Sequence, residues 1–193
     1  MSFINQRDKE VHFKIAYYGA LHAGKSSSLH ALYTKTAPDR RGNIVTLSEP
    51  GDESLVFEFL PLSIGKVGGH TVRFHLYTVP GQHLYDASRT LILKGVDGIV
   101  FVADSRIGKM DENIESWKAL RTNLRNHGMD LEATPVFLQA NKRDLPNVLP
   151  AASIKQLLKA PGLMSFETVA TKGKNIPECF QAMAKQVLKN FKN

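Results

Sequence analysis

The chain has 193 residues, of which 42% are hydrophobic and 22% charged, a composition typical of one globular domain spanning residues 1–193. A single cysteine, Cys179, excludes an internal disulfide framework and any metal site built from several cysteines. No apolar run reaches the ~20 residues that a membrane-spanning helix needs, and the first ten residues lack the apolar core of a secretory signal. We therefore expect a cytoplasmic domain without an integral membrane anchor.

The charge balance is basic, with 25 Lys and Arg against 18 Asp and Glu, a formal net charge of +7. Such a balance permits binding to phosphates, nucleic acid or an acidic membrane face, and does not choose among them. Because the positive residues are spread along the chain, they predict a solvated surface. No nucleic-acid partner is expected.

Short apolar runs alternate with helical patterns along the whole chain. Six segments predict strands: His12–Tyr18, Leu55–Leu62, Val72–Thr78, Gly98–Ala103, Pro135–Ala140 and a last strand that ends at Val169–Thr171. Gly68-Gly69 predicts a tight hairpin between the second and third of these. The alternation predicts an α/β three-layer sandwich, with a mostly parallel six-stranded sheet, one antiparallel hairpin at its edge and helices on both faces.

The first predicted strand leads into a phosphate-binding pattern. Residues from Gly19 to Ser26 match G-x-x-x-x-G-K-[ST], in which backbone N–H groups wrap a polyphosphate and lead into a helix N-terminus. Lys25 is expected to reach the β- and γ-phosphates, and the Ser26 hydroxyl to bind Mg²⁺. Other residues of this segment and the one after it are also expected to contact the nucleotide: Gly19, His22, Ala23, Gly24 and Ser27.

A second pattern, Pro-Gly-Gln, follows the third predicted strand. Gly81 can offer a backbone N–H to a γ-phosphate, and Gln82 can orient the attacking water. Alone, this tripeptide is an ordinary turn. Downstream of a phosphate loop it predicts the catalytic residue of a nucleotide hydrolase.

A third pattern, Asn-Lys-Arg-Asp, follows the strand that ends at Ala140. The Asp144 carboxylate can accept hydrogen bonds from the N1 and N2 donors of guanine, and adenine offers no such pair. Asn141 can pair with the ring N7, and the Lys142 stem can cover the base. At a strand end after a phosphate loop, this pattern predicts a guanine-nucleotide site.

A weaker signal closes the base pocket. The segment that contains Ala170 and Thr171 ends the last predicted strand, and the Ala170 N–H is placed to meet the base. In order along the chain, these parts are those of a Ras-like GTP-binding domain.

The sequence resembles the bacterial MglA family of small Ras-like GTPases from about Phe13 to Val187. Four stretches carry the resemblance: Phe59–Leu62, Arg73–Gln82, Leu91–Ser105 and Asn141–Pro146. Thr78, where most Ras-like proteins have aspartate, is a mark of this family. The resemblance implies GTP and GDP as ligands with Mg²⁺, and a monomeric cytoplasmic polarity switch that directs surface motility.

The resemblance also implies partners. A dimeric roadblock-fold protein of the MglB type is expected to stimulate GTP hydrolysis. Polarity and motility effectors are expected to read the GTP form, and such partners are expected to recruit the switch to a cell pole.

Three positions depart from the family pattern. Leu21 replaces a glycine of the phosphate loop, and its side chain projects toward the space that Gln82 and its water need. Glu53 stands where the family has an intrinsic arginine in the first switch loop, and Ser54 stands for a Mg²⁺-binding threonine. An arginine at such a position accelerates phosphoryl transfer by ~10³–10⁵-fold, whereas a carboxylate would repel the developing charge.

The first switch loop leaves an alternative open. Pro50-Gly51 could shift its register, so that Thr46 or Ser48 holds Mg²⁺ in place of Ser54. Arg40 and Arg41 are outside candidates for a substitute arginine.

We therefore predict a protein that binds guanine nucleotide and hydrolyses GTP slowly. The alternatives are a constitutively GTP-bound interaction module that does not hydrolyse GTP, and normal partner-stimulated turnover if Leu21 swings outward. A P-loop ATPase or nucleotide kinase is disfavoured by Asn141 and Asp144.

Overall fold

The computed structural model describes residues 3–49, 52–80, 91–126, 128, 129, 131 and 133–192, with the backbone alone at 3, 47–49, 52–56 and 192. The strands are β1 (Phe3–Asn5), β2 (Glu10–Tyr18), β3 (Val45–Glu49), β4 (Asp52–Val67), β5 (His70–Thr78), β6 (Gly98–Asp104), β7 (Val136–Asn141) and β8 (Met164–Glu167). The helices are α1 (Lys25–Lys35), α2 (Met110–Asn126), α3 (Ala151–Leu157) and α4 (Ile176–Lys192), with 3₁₀ turns at Pro38–Arg40, Ile107–Lys109 and Ala170–Lys172.

The eight described strands form one sheet in the order β3-β4-β5-β2-β6-β7-β8, and β1 pairs with the start of β2. Five neighbouring strands, from β5 to β8, run parallel. The carboxyl ends of β2, β6 and β7 therefore meet at one edge of the sheet, where ligands of such folds bind.

Helices cover both faces of the sheet. On one face, α1 and α4 bury an apolar layer against β2 and β5 that includes Leu29, Leu32 and Phe180. On the other face, α2 and α3 pack Trp117, Leu120 and Ile154 against β6 and β7. These two layers confirm the predicted three-layer sandwich, and Trp117 lies in the core as its helical spacing indicates.

The strand count and the pairing differ from the sequence prediction. The described sheet has eight strands, because β1 and β3 add to the predicted six. Three pairs are antiparallel (β1 with β2, β3 with β4, and β4 with β5), whereas the Gly68-Gly69 hairpin predicts a single one. Much of the predicted first switch loop is strand, since β3 and β4 include positions 45–49 and 52–54.

The last strand is also shorter than predicted. It ends at Glu167, and Ala170 and Thr171 lie in a 3₁₀ turn that follows it. In the part of the chain that the structure describes, no helix is long and apolar enough to cross a lipid bilayer.

Candidate functional site

A cavity of about 610 Å³ lies at the carboxyl edge of the sheet. Its lining comes from the segments that the sequence singles out: positions 21, 22 and 24–27, positions 78–80, positions 141, 142, 144 and 145, and positions 169–171. The structure therefore brings the phosphate-loop pattern, the guanine-reading pattern and the closing segment to one place. Gly81 and Gln82 lie outside the described residues, immediately after Pro80 in the cavity wall.

Two glycines let the phosphate loop lie flat against the strands behind it. A Cβ added to Gly19 would stand 2.1 Å from the Val102 carbonyl oxygen, and one added to Gly24 would stand 2.1 Å from the Asn141 amide nitrogen. Gly24 also has φ +110°, which disfavours residues with a side chain. Both positions therefore lack room for a side chain, because Gly19 lies against the backbone of Val102 and Gly24 against the side chain of Asn141.

The loop between these glycines and the first turn of α1 hold the residues that are expected to bind phosphate. The Lys25 side chain is buried, and its ammonium donates to the carbonyls of Gly19 and Ala20 at 2.9 and 2.8 Å. His22 is exposed and has φ +58°, a left-handed conformation that is uncommon outside glycine. Ser26 is exposed in the first turn of α1, whose N-terminal N–H groups favour anions.

Asn141 ties the phosphate loop to the closing segment. Its amide nitrogen donates to the Ala23 carbonyl at 2.8 Å, and its side-chain oxygen accepts from Thr168 Oγ at 3.1 Å and from the Ala170 N–H at 2.9 Å. The Ala170 N–H therefore donates to Asn141 in this structure, and the buried Asn141 side chain braces the phosphate loop against the closing segment.

Ion pairs lie in or beside the Asn-Lys-Arg-Asp segment. Lys172 Nζ lies 3.2 Å from Asp144 Oδ2, at an exposed edge of the cavity. Lys142 Nζ donates to buried Asp104 at 2.7 Å, and Arg106 donates to the same carboxylate. Burial acts to raise the pKa of Asp104, but the hydrogen bonds from Arg106 and Lys142 outweigh it and lower that pKa overall. Asp104 therefore stays ionised and holds the Lys142 stem in place.

Asp104 is a site residue that the sequence analysis missed. It ends β6, the strand between the two motif-bearing strands, and its position at a carboxyl strand end was the available signal.

The end of β5 also lines the cavity, through Thr78 and the two residues that follow it. The Thr78 hydroxyl accepts the backbone N–H of Glu58 at 2.7 Å, and this contact joins β5 to β4. The Glu58 carboxylate in turn meets His30 of α1 at 3.0 Å. Ser48 and Ser54 lie in β3 and β4, where only their backbone is described, and the Glu53 side chain lies outside the described part as well.

The two arginines proposed as outside candidates lie at the far end of α1. Arg41 stacks on Tyr33, with its guanidinium carbon 3.4 Å from the ring centre, and its backbone bridges to Leu62. Arg40 lines a separate cavity of about 540 Å³ between α1 and α4. Neither residue lines the cavity that holds the phosphate loop.

Comparison with known proteins decides the family. The Ras family model matches residues 14–189. The mutual gliding-motility protein MglA of Myxococcus xanthus (strain DK1622) is 47% identical over 192 residues, covering 100% of this chain and 98% of that protein. The chain belongs to the Ras family, as an MglA-type small GTPase. More distant relatives of this MglA-type GTPase include the Ras-related protein Rab-5B of Plasmodium falciparum, 26% identical over 97% of this chain and 83% of that protein. The human ADP-ribosylation factor-like protein 4A is 30% identical over 81% of this chain and 70% of that protein.

Among the described residues, no group of three or more His, Cys, Asp or Glu side chains could hold a metal ion. The Ser26 hydroxyl lies in the cavity wall at the start of α1 and could hold a Mg²⁺ ion together with phosphate oxygens of a bound nucleotide.

Proposed function

We propose that this MglA-type GTPase is a monomeric guanine-nucleotide switch for cell polarity and surface motility, and that its own GTP hydrolysis is slow. The role in motility is inferred from the name of the Myxococcus xanthus relative, the mutual gliding-motility protein MglA. The similarity to that protein extends over the whole of this chain. Roadblock-fold dimers of the MglB type are the proposed activators, and polarity effectors that read the GTP form are the proposed partners. The switch acts in the cytoplasm and is recruited to a cell pole by those partners.

The nucleotide lies along the cavity with its phosphates at the loop of Gly19–Ser27. The N–H groups of His22, Gly24 and the first turn of α1 donate to the phosphates, and Lys25 neutralises their charge. The Ala23 N–H donates to the Ala20 carbonyl at 3.2 Å and shapes the loop. Ser26 is the proposed Mg²⁺ ligand, joined by Ser54 or, in another register, by Thr46 or Ser48. Bound Mg²⁺ would neutralise charge on the β- and γ-phosphates.

Guanine is read at the other end of the cavity. Asp144 accepts the N1 and N2 donors of the base, the Lys142 stem covers one base face, and the turn with Ala170 and Thr171 closes the pocket. Competition between GTP and ATP tests this assignment, and we expect GTP to win by ~10²-fold or more because ATP lacks the paired donors. Asp144→Ala should remove that preference, and a wild-type preference for ATP would contradict the guanine assignment.

Slow hydrolysis depends on one observation. Leu21, which is 40% exposed, lines the same cavity as Pro80, the residue before Gly81 and Gln82. Gln82 must orient a water beside the γ-phosphate, and misplacement of a reacting group by about 1 Å can cost ~10²-fold in rate. A leucine at the glycine position narrows the space in which that water stands.

Single-turnover GTP hydrolysis by wild type and Leu21→Gly tests this proposal. We expect the glycine variant to hydrolyse GTP about 10²-fold faster, because the space beside Gln82 is restored. Leu157→Gly, an exposed leucine at the end of α3, serves as the matched control and should match the wild type. Equal rates for wild type and Leu21→Gly would refute the proposal.

The Leu21 side chain also favours a second candidate function. A constitutively GTP-bound interaction module would keep the nucleotide contacts and lack turnover. Chromatography of the nucleotide released from the purified protein separates the two functions, since the module retains GTP and the cycling switch retains mostly GDP.

A further inference from the structure

A buried chain of hydrogen bonds connects β7 to the back of the phosphate loop. Ser28 of α1 and Gln139 of β7 are both fully buried. Gln139 Nε2 donates to Ser28 Oγ at 2.8 Å, and Ser28 Oγ donates to the Gly24 carbonyl at 2.8 Å. The backbone N–H of Ser28 donates to the same carbonyl at 3.0 Å.

We propose that Gln139 is a positioning residue for the phosphate loop and acts through Ser28. The inference rests on the proposed nucleotide site. A trans peptide unit is planar, so that its N–H points away from its C=O. Holding the Gly24 carbonyl from behind therefore turns the Lys25 N–H of the same peptide unit toward the cavity that Gly24, Lys25 and Ser26 line.

The neighbouring peptide unit is held in the same way. Asn141 donates to the Ala23 carbonyl, which orients the N–H of Gly24. Gln139 and Asn141 are two residues apart on β7 and therefore point to the same face of the strand. Two carboxamides of one strand thus brace two consecutive peptide units of the loop, and a bonded carbonyl also strengthens the N–H of its own unit as a donor.

Packing alone does not explain the glutamine. Gln139 Oε1 is buried and accepts no hydrogen bond in the described part of the chain. Such an orphan oxygen is unfavourable, and a leucine would fill a similar volume without it. The hydrogen bond from Gln139 Nε2 to Ser28 Oγ is the interaction that the carboxamide makes and a leucine could not make.

Affinity for GDP relative to GMP measures the brace, because the β-phosphate is the group that the loop N–H donors meet and the base and ribose are common to both nucleotides. In Ser28→Ala and Gln139→Leu we expect GDP to bind about tenfold more weakly, with GMP affinity unchanged, as for a lost hydrogen bond to a charged group. The double variant should lose no more than either single variant, since both substitutions break the same chain of hydrogen bonds. Ser28→Thr, which keeps the hydroxyl, should keep the GDP preference.

Ser116→Ala, a buried serine of α2, is the matched control and should bind both nucleotides as the wild type does. Thermal unfolding of each variant confirms that it is folded. Equal losses for GDP and GMP, additive losses in the double variant, or an unchanged ratio would each overturn the role of Gln139. A wild-type protein that binds neither nucleotide would instead contradict the proposed function itself.

Discussion

Asn141→Ala should both destabilise the protein and abolish nucleotide binding. The side chain makes three buried hydrogen bonds, to the Ala23 carbonyl, the Thr168 hydroxyl and the Ala170 N–H. Alanine leaves these three buried groups without a hydrogen bond from residue 141. Each unsatisfied buried group lowers the free energy of unfolding by about 1–3 kcal/mol. Partial access of water to the new space lowers the sum, so that we expect a loss of about 3–6 kcal/mol in the free energy of unfolding.

Such a loss is a large part of the 5–15 kcal/mol that ordinarily stabilises a domain. For a chain of this length, about 1 kcal/mol shifts the melting temperature by ~2–4 °C, so a loss of about 3–6 kcal/mol gives a fall of about 6–24 °C. Differential scanning calorimetry measures the shift. Asn190→Ala, which removes one exposed hydrogen bond with Gln186, is the control and should change stability by less than about 0.5 kcal/mol. A melting temperature of Asn141→Ala within about 3 °C of the wild type would refute the role of Asn141 as a brace between three elements.

Two further predictions concern titratable groups away from the cavity. Burial raises the pKa of Cys179 to about 12, so the native protein should resist thiol reagents at pH 8, and one thiol should react after denaturation. Burial, and after it the neighbouring His12 and Arg73, lower the pKa of His75, so the folded protein resists a proton that the unfolded chain accepts near pH 6.5. The contribution of His75 to stability is therefore complete above pH 6.5 and declines as the pH falls below it. When the pH is lowered from 7.5 to 5.5, the melting temperature of His75→Gln should fall by less than that of the wild type. An equal fall in the two proteins would contradict this assignment.

The segments that line the cavity could be found in the sequence, because each is a short pattern of neighbouring residues. The phosphate-loop pattern and the Asn-Lys-Arg-Asp pattern each follow a recognisable apolar strand, and the order of parallel strands places both at one edge of the sheet. The brace that Gln139 and Ser28 form was not predictable in this way. The two residues are 111 positions apart, and only the packing of α1 on β7 makes them partners.

The strands at the edges of the sheet were the least predictable. β1 has three residues, and β3 consists of a segment whose polarity is that of a loop. In the register of the two strands, Val45 lies opposite Phe59 of β4 and Leu47 lies opposite Phe57. Strand preference depends on such cross-strand neighbours more than on the residues of the segment itself, and no local pattern reveals them.

The same dependence explains why the sequence left three hydroxyls open for Mg²⁺. Side chains alternate between the two faces of a strand, so a shift of one residue in register exchanges the face that each hydroxyl occupies. Glu58, held by Thr78 and by His30, fixes β4 against β5 and α1 downstream. Upstream, the pairing of β3 with β4 shifts between Ser48, whose partner is Val56, and Glu49, whose partner is Asp52, so that Ser54 lies within the irregularity. The choice among Thr46, Ser48 and Ser54 therefore depends on the register of the edge hairpin formed by β3 and β4, which no local pattern in the sequence reveals.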